Sequence, residues 1–397
     1  MQSVQNNSGV FTLQLQRPFD TSLFIVIVAL VSIGLVMVAS ASIGIAENRF
    51  HDPLHFIIRQ IVYVALGAGL CALMYQIPLR VWETAGVILL PVAFVLLIAV
   101  LIPGVGRTVN GATRWIQLGP LGIQPSEFVK LLMVLYTAGY IVRHGDALRG
   151  TLVGFIKPLL VVGAMTGLLL LEPDFGAATV ILLVTMGMLF IGGVRFIQFV
   201  ALFAVAAGSF AVLAMTSSYR MQRLTSFLDP WQDPYNSGFQ LTQSLIAIGS
   251  GSWHGVGLGS SVQKLFYLPE AHNDFMFAIL AEELGLWGVF LILLLFVYAV
   301  LRSFAIGARA ERTGHYFGGY VAYGIGLWLG IQAFVNIGVN MGVLPTKGLT
   351  LPFMSAGGSS MLAMCASIGV LLRVHREIHA LEQTGIRSRS ARKGSKQ

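Results

Sequence analysis

The chain consists mainly of long apolar segments, and this feature restricts its fold more than any other. A membrane-spanning helix needs about 20 mostly apolar residues, and about ten segments reach that length. Of all residues, 56% are hydrophobic and 11% are charged, whereas soluble domains contain about 25% charged residues. We therefore predict an all-α polytopic membrane protein with about ten transmembrane helices. The segments lie near residues 22–43, 55–76, 84–103, 125–143, 152–172, 176–192, 196–216, 275–301, 318–340 and 352–373.

The positions of Lys and Arg orient these helices. More of them fall on one side, and the positive-inside rule places that side, together with both termini, in the cytoplasm. We predict a cytoplasmic segment over residues 1–20, a transmembrane domain over 21–376 and a basic cytoplasmic tail over 377–397. The first apolar segment is longer than the roughly 7–15 residues of a signal-peptide core, so we expect it to be an uncleaved helix.

The formal net charge of +8 raises the alternative of nucleic-acid binding. Much of that charge lies in the tail, where the positive-inside rule explains it and no nucleic acid is needed. The two cysteines, Cys71 and Cys365, lie in apolar segments. We expect them to be packing residues that form neither a disulfide framework nor a metal site.

The predicted outer side keeps more basic residues than orientation requires. Arg and Lys around a cavity suit an anionic ligand such as a phosphate. Salt bridges and contacts with lipid headgroups would explain the same residues equally well. They are Arg49, Arg59, Arg107, Arg114, Arg220, Arg223, Lys264 and Lys347.

Three polar motifs adjoin the predicted helices in the first half of the chain. Trp115 follows the third helix and is either a membrane-interface aromatic or a site residue. Glu127 and Lys130 share one face of the fourth helix, so they either form a structural ion pair or line a substrate cavity. Glu172 and Asp174 follow the fifth helix in a turn, where capping is the simpler role and a place in the outer cavity is the alternative.

A large loop over residues 217–274 separates the predicted seventh and eighth helices. It contains an amphipathic helix near 237–248 and ends in Glu270, His272 and Asp274. Asp274 is placed to cap the next helix, which is worth about 0.5–2 kcal/mol, and the helix dipole favours its ionised form. The same carboxylate is a candidate general base or metal ligand. His272 has no second His at a metal-binding spacing, so we expect an ordinary loop residue.

Two further stretches place polar or helix-breaking residues at membrane depth. Glu282 and Glu283 lie inside the predicted eighth helix, where at least one needs a partner or water. Residues 336–360 are rich in Gly, Pro and Ser. Such backbone persists in a membrane only where protein or a water-filled cavity satisfies it. We therefore predict a re-entrant outer segment that places Lys347 near an anion.

Several of these motifs together resemble the SEDS family (shape, elongation, division and sporulation) of bacterial membrane proteins, and the similarity covers most of the chain. Around 263–272 and 344–349, the sequence is more similar to the division members than to the elongation members. Asn273 stands where Thr is usual, and Met354, Ser355 and Ala356 stand where an Ile-Ser-Tyr run is common. The motifs occupy residues 111–116, 125–128, 244–251, 269–275 and 357–360.

The resemblance implies a peptidoglycan glycosyltransferase that polymerises lipid II on the outer side of the bacterial cytoplasmic (inner) membrane, at the division septum. It also implies a class B penicillin-binding protein (an FtsI-type transpeptidase) and other divisome proteins as partners. The family's essential loop aspartate falls on Asp274. Its ion-paired Glu and Lys fall on Glu127 and Lys130, and its loop Trp falls on Trp115.

A lipid diphosphate leaves in this reaction, so positive charge must gather around it. A divalent cation, Mg²⁺ or Mn²⁺, is a further candidate. Two other functions remain open: a flippase for lipid II, and a scaffold of the divisome without enzymatic activity. The candidate supporting residues around Asp274 are Arg114, Arg220, Arg223, Lys264, Glu270, His272 and Lys347.

Overall fold

The computed structural model describes residues 19–109, 111–119, 121–215, 227–236, 238–265, 267–345 and 348–394. Three predicted site residues, Arg220, Arg223 and Lys347, lie outside these described residues. So do residues 1–18 and 395–397 of the predicted terminal segments.

The described residues form a helical bundle with one small sheet. Within them, seven helices are long and apolar enough to cross a membrane: α1, α2, α3, α5, α9, α10 and α11. The predicted helical membrane fold is therefore confirmed apart from the small sheet, whereas the number of about ten spans and the sides of the termini stay predictions. The helices are α1 Thr21–Phe50, α2 His55–Gln76, α3 Leu79–Leu101, α4 Pro125–Gly150, α5 Leu152–Leu171, α6 Phe175–Ile191, α7 Phe196–Met215, α8 Phe239–Ser250, α9 Met276–Arg312, α10 Tyr316–Asn340 and α11 Gly358–Gly394.

A three-stranded antiparallel sheet, which the sequence did not predict, occupies the loop between α3 and α4. Its strands are β1 Gly106–Val109, β2 Ala112–Leu118 and β3 Leu121–Ile123, in the order β1-β2-β3. Arg107 pairs with Trp115 across β1 and β2. Strands β1 and β3, with 4 and 3 residues, are too short to show a clear alternation of apolar and polar residues, so the sequence did not reveal the sheet.

Helix α9 is interrupted at Gly285, whose backbone has φ 64° and ψ −164°. The glycine-rich segment after α8 pairs with the backbone on both sides of this break. Val256 N–H donates to the Glu282 carbonyl at 3.0 Å, and Leu286 N–H donates to the Ser252 carbonyl at 3.0 Å. The predicted amphipathic helix is confirmed as α8. Main-chain hydrogen bonds join the glycine-rich segment that follows it to α9.

The described part of the segment between α10 and α11 is non-helical and reaches deep into the bundle. A Cβ atom on Gly34, near the middle of α1, would lie 2.6 Å from the Met354 Cα atom. Side-chain amides satisfy carbonyls of the segment: Gln332 Nε2 donates to Thr350 at 3.1 Å, and Gln60 Nε2 donates to Ser355 at 3.2 Å. Its non-helical backbone, satisfied by protein, agrees with the predicted re-entrant segment. Residues 336–340 and 358–360 of that prediction belong instead to α10 and α11.

Helices α2 and α11 pack closely through small residues. The Cys365 side chain lies against Gly67, and the Cys71 backbone lies against Gly369. Both cysteines are free. The prediction that they are packing residues is confirmed.

Candidate active site

Asp274 lies at the end of the large loop, two residues before α9. The helix N-cap is Phe275, and in the described residues no side chain caps it. The prediction that the Asp274 side chain caps α9 is therefore wrong. Its main-chain carbonyl instead accepts hydrogen bonds from Asn336 Nδ2 at 2.9 Å and Asn340 Nδ2 at 3.0 Å. Helix α10 thus positions the main chain of Asp274, whereas the half-buried carboxyl group forms neither of these two hydrogen bonds. We call this pair of hydrogen bonds the main-chain clamp.

The Asp274 carboxyl group has a raised pKa, which is the opposite of the expected effect of a helix dipole. Burial raises the pKa to about 7, with a further increase from the negative charge of Glu270. Arg114 lowers it and Asp174 raises it. The dipole expectation fails because the group is not aligned as the helix cap, so desolvation dominates. A carboxylate that titrates near neutral pH is suited to general-base catalysis.

Arg114 faces the Asp274 carboxyl group across the surface of Gly348. A Cβ atom on Gly348 would lie 3.1 Å from Asp274 Oδ2 and 3.9 Å from Arg114 Nη1. The guanidinium group is held in place because Nε donates to the Glu172 carbonyl at 3.4 Å and Nη2 donates to the Pro173 carbonyl. The structure therefore brings together a predicted base and a predicted cation.

The turn after α5 has the predicted capping role, and it also contains the buried carboxyl group of Glu172. Asp174 caps α6 by accepting the Ala177 N–H at 3.2 Å, and its other oxygen accepts the Ser126 hydroxyl at 2.9 Å. Glu172 is 0% exposed, and neither carboxyl oxygen has a hydrogen-bond partner in the described part of the chain. Burial, followed by the charge of Asp174, raises the Glu172 pKa to about 8. Glu172 is therefore mostly neutral at pH 7.

A cavity of about 320 Å³ opens beside the loop that carries Asp274. Its walls come from α2, the sheet and the re-entrant segment, and His272 and Asn273 contribute from the large loop. The His272 ring contacts the Phe56 ring in a tilted arrangement, with 4.7 Å between the ring centroids. Burial lowers the pKa of His272.

Trp115 also lines this cavity, which favours the site role over the membrane-interface role. Arg59 and Arg107 line it as well, although the sequence analysis did not include them among the site residues. Their only signal in the sequence was their place among the outer basic residues. The sequence could not show that α2 and β1 meet at one cavity.

Glu127 and Lys130 form a buried ion pair at 2.7 Å, with 6% and 1% of their side chains exposed. Lys130 Nζ also donates to Gln332 Oε1 at 2.9 Å and lies 5.4 Å from the Trp328 ring centre. Gln332 in turn holds the re-entrant segment through Thr350. Of the two alternatives, the structure supports the structural ion pair, which supports the segment beside Asp274.

Lys264 lies in a different environment from the one predicted. Its ammonium group pairs with Glu283 at 2.8 Å and contacts the Ser40 hydroxyl at 2.9 Å. Glu283 neutralises the charge of Lys264 in this ion pair. We therefore assign Lys264 a structural role in place of the predicted contact with a diphosphate. The expectation that the glutamates in α9 need partners is confirmed, since Glu282 accepts the Val262 N–H at 3.0 Å.

Glu270 acts on Asp274 through its charge. Its carboxylate accepts the Asn273 amide at 2.5 Å. Among the described residues there is no group of three or more His, Cys, Asp or Glu side chains placed to hold a metal ion.

The sequence profile of the cell cycle proteins FtsW, RodA and SpoVE matches residues 20–380. The chain belongs to this family. A probable peptidoglycan glycosyltransferase FtsW from Thioalkalivibrio sulfidiphilus is 56% identical over 95% of this chain and 94% of its own length. The protein of the same name from Coxiella burnetii is 53% identical over 90% of this chain and 96% of its own length.

Solved structures agree with this membership. A chain from a study of polymerization and crosslinking by a peptidoglycan synthase complex has a TM-score of 0.73 and 32% identity, covering 91% of this chain and 98% of its own. The rod shape determining protein RodA of Thermus thermophilus has a TM-score of 0.65 and 31% identity, covering 90% and 97%. The SEDS resemblance and its FtsW-like character are thus confirmed, and the chain is a multi-pass membrane protein.

Proposed function

We propose that this protein is a peptidoglycan glycosyltransferase that polymerises lipid II into glycan strands. The observation that carries the proposal is the position of the Asp274 carboxyl group, which lies opposite Arg114 across Gly348; burial, which raises its pKa to about 7, suits it to act as a base. FtsW-like relatives named as probable peptidoglycan glycosyltransferases support it.

In the proposed reaction, Asp274 removes the proton from a sugar hydroxyl of one lipid-linked disaccharide. The hydroxyl oxygen attacks the anomeric carbon of a second lipid-linked chain and forms the new glycosidic bond. The bond from that carbon to the lipid diphosphate breaks, and the diphosphate leaves with the electron pair. A positioned general base typically accelerates such a reaction by about 10²–10⁴-fold. Binding the two substrates side by side supplies the larger part of the rate acceleration.

The proposal includes the setting in which the reaction takes place. Asp274 and the cavity would face the outer side of the bacterial inner membrane, at the septum. A class B penicillin-binding protein would crosslink the new strands, in line with the structural neighbour from a synthase complex that polymerises and crosslinks. Other divisome proteins would regulate the activity of this protein and of the penicillin-binding protein. A divalent cation would enter with the substrate diphosphate, and none of the steps above depends on it.

The test uses purified protein in lipid vesicles with fluorescently labelled lipid II, with and without a class B penicillin-binding protein. We expect ladders of glycan strands on a gel. Translocation of labelled lipid without ladders would support the flippase alternative. The absence of both, with the partner protein bound, would support the scaffold alternative.

A further inference from the structure

The turn after α5 holds Arg114 through main-chain oxygens. The guanidinium group donates to the carbonyls of Glu172 and Pro173. Within the described residues, no carboxylate forms an ion pair with Arg114. The charge of Arg114 therefore stays available to Asp274, whose pKa it lowers. The position of this turn thus decides where that charge lies.

The side chain of Asp174, which is 1% exposed, joins the turn to the beginnings of two helices. One carboxylate oxygen accepts the Ala177 N–H in α6 at 3.2 Å. The other accepts the Ser126 hydroxyl in the first turn of α4 at 2.9 Å and Gln124 Nε2 at 3.0 Å. Hydrogen bonds to an ionised carboxylate are stronger than those between neutral groups. A residue that only capped α6 would need the first of these contacts alone.

The same carboxylate supports the sheet from which Arg114 projects. Gln124 directly follows β3, and its N–H donates to Ser359 Oγ at 2.9 Å. Strand β3 pairs with β2, which carries Arg114. Asp174 therefore binds both the end of the sheet and the turn whose carbonyls accept the guanidinium group.

The start of α6 also packs against the segment that lies between Arg114 and Asp274. A Cβ atom on Gly176 would lie 2.7 Å from Leu349 Cγ and 3.0 Å from the Gly348 carbonyl oxygen. Asp274 Oδ2 and Arg114 Nη1 lie opposite each other across Gly348. A shift of the turn would therefore move the guanidinium group relative to the carboxyl group.

We propose that Asp174 is the positioning residue of Arg114, because its carboxylate joins the end of the sheet to the turn whose carbonyls hold the guanidinium group. This inference rests on the proposed function, in which Arg114 lies beside the base Asp274. In that reaction Asp174 touches no reacting atom and acts through Arg114. Its removal should therefore have its main effect while the guanidinium group is present.

Asp174→Asn tests this inference through the pKa of Asp274. The variant keeps an N-cap oxygen for α6 but loses the negative charge and the oxygen that accepts from Ser126 and Gln124. Loss of the charge alone would lower the Asp274 pKa, because Asp174 raises it. Displacement of Arg114 would raise the pKa, and Arg114 has the larger of the two effects. The inference therefore predicts a rise.

The measurement is the labelling of Asp274 at a series of pH values by a water-soluble carbodiimide, which reacts with protonated carboxyl groups. The full chain is labelled in nanodiscs, and mass spectrometry identifies the modified residue. In Asp174→Asn the midpoint should lie at higher pH than in the wild type. When the same change is added to Arg114→Gln, the midpoint should fall, because no guanidinium group is left to displace. Thr151→Ala, which removes the side-chain cap of α5, is the matched control and should keep the wild-type midpoint.

A second variant covers the case in which Asp174→Asn does not fold. Gln124→Leu combined with Ser126→Ala removes both side-chain donors from outside α6 and changes no charge, so the midpoint should again rise. A midpoint that falls or stays at the wild-type value, in either variant that folds, would overturn the inference. Labelling needs no turnover, so a protein that shows these midpoints and forms no glycan would refute the proposed function alone.

Activity supplies an independent test. Asp174→Asn should lower kcat/KM by about 10–100-fold, the cost of a misplaced group near the reacting atoms. Added to Arg114→Gln, the same change should cause little further loss, because two residues that act through one contact are not additive. Equal losses in both backgrounds would show that Asp174 acts independently of Arg114 and would overturn the inference.

Discussion

Asp274 contributes to the fold through its main chain and to the proposed chemistry through its side chain. Two buried asparagines donate hydrogen bonds to its carbonyl oxygen. Its carboxyl group lies beside Gly348, and nearby charged residues shift its pKa. A substitution that changes only the carboxyl group therefore leaves the main-chain clamp in place. This separation makes the site accessible to mutational tests.

The pKa of Asp274 predicts how activity depends on pH. Because the base must be ionised and its pKa is about 7, we expect kcat/KM to rise between about pH 6 and pH 8. Glu270→Gln removes a negative charge, which lowers the Asp274 pKa and moves the rise to lower pH. Arg114→Gln removes a positive charge and moves it to higher pH. A profile whose midpoint is the same in all three proteins would contradict this electrostatic account.

Glu172 predicts a pH dependence of stability. Its pKa in the folded protein is about 8, against an ordinary value of 4.5. Between these values the folded chain holds a proton that the unfolded chain has released, so stability is lost as pH rises towards 8. We expect the melting temperature to fall from pH 5 to pH 8 in the wild type and to fall less in Glu172→Gln.

The control for this measurement is Glu47→Gln, which changes an exposed glutamate at the end of α1. Its melting temperature should follow the wild-type slope. An identical slope in Glu172→Gln would show that the buried carboxyl group is ionised throughout this range.

The sequence singled out Asp274 but did not predict its surroundings. Asp274 was identified by its place at the mouth of a helix and by the family resemblance. The direction of its pKa was wrong, because burial and the charge of Glu270 depend on how separate segments meet. Lys264 was misassigned for the same reason, since its partner Glu283 lies in α9.

At the scale of the elements, α10 is the support of the site. Asn336 Nδ2 donates to both the Asp274 and the Leu349 carbonyls, and Asn340 Oδ1 accepts the Ala278 N–H at 3.2 Å in the first turn of α9. One face of α10 therefore joins the loop, the re-entrant segment and α9.

This clamp predicts the effect of removing an amide. Asn340→Ala deletes a donor to a buried carbonyl, a loss of about 1–3 kcal/mol, and leaves the carboxyl group less well placed. We expect kcat per folded molecule to fall about 5–100-fold with little change in KM. Asn236→Ala, an exposed asparagine of the large loop, is the control. A wild-type kcat in Asn340→Ala would show that the clamp does not position the base.

The elements differ in how well the sequence predicts them. Helices such as α2 and α5 were predicted nearly to the residue, because a long apolar run between polar ends sets both boundaries. Helix α9 extends to Arg312, beyond its predicted end, because hydropathy marks only its apolar part. The sheet was missed because β1 and β3 have 4 and 3 residues, too few for a pattern.

At the scale of the whole molecule, the proposed function requires the large loop to lie on the outer side of the inner membrane. Tyr235 is 86% exposed in that loop, and Asp146 is exposed near the predicted inner end of α4. In a background without Cys71 and Cys365, we expect Tyr235→Cys to react with a membrane-impermeant maleimide on intact spheroplasts. Asp146→Cys should react only after permeabilisation, and the reverse pattern would refute the predicted orientation.

The central claim is that the Asp274 carboxylate is the base of glycosyl transfer, and Asp274→Asn tests it most directly. The change keeps the size of the side chain and the main-chain clamp while removing the base. The measurement compares initial rates of glycan polymerisation for wild type, Asp274→Asn and the control Asp52→Asn, at equal amounts of folded protein in lipid vesicles with labelled lipid II. We predict a loss of about 10²–10⁴-fold in Asp274→Asn and little change in the control. Glycan ladders formed by Asp274→Asn at the wild-type rate would contradict the account.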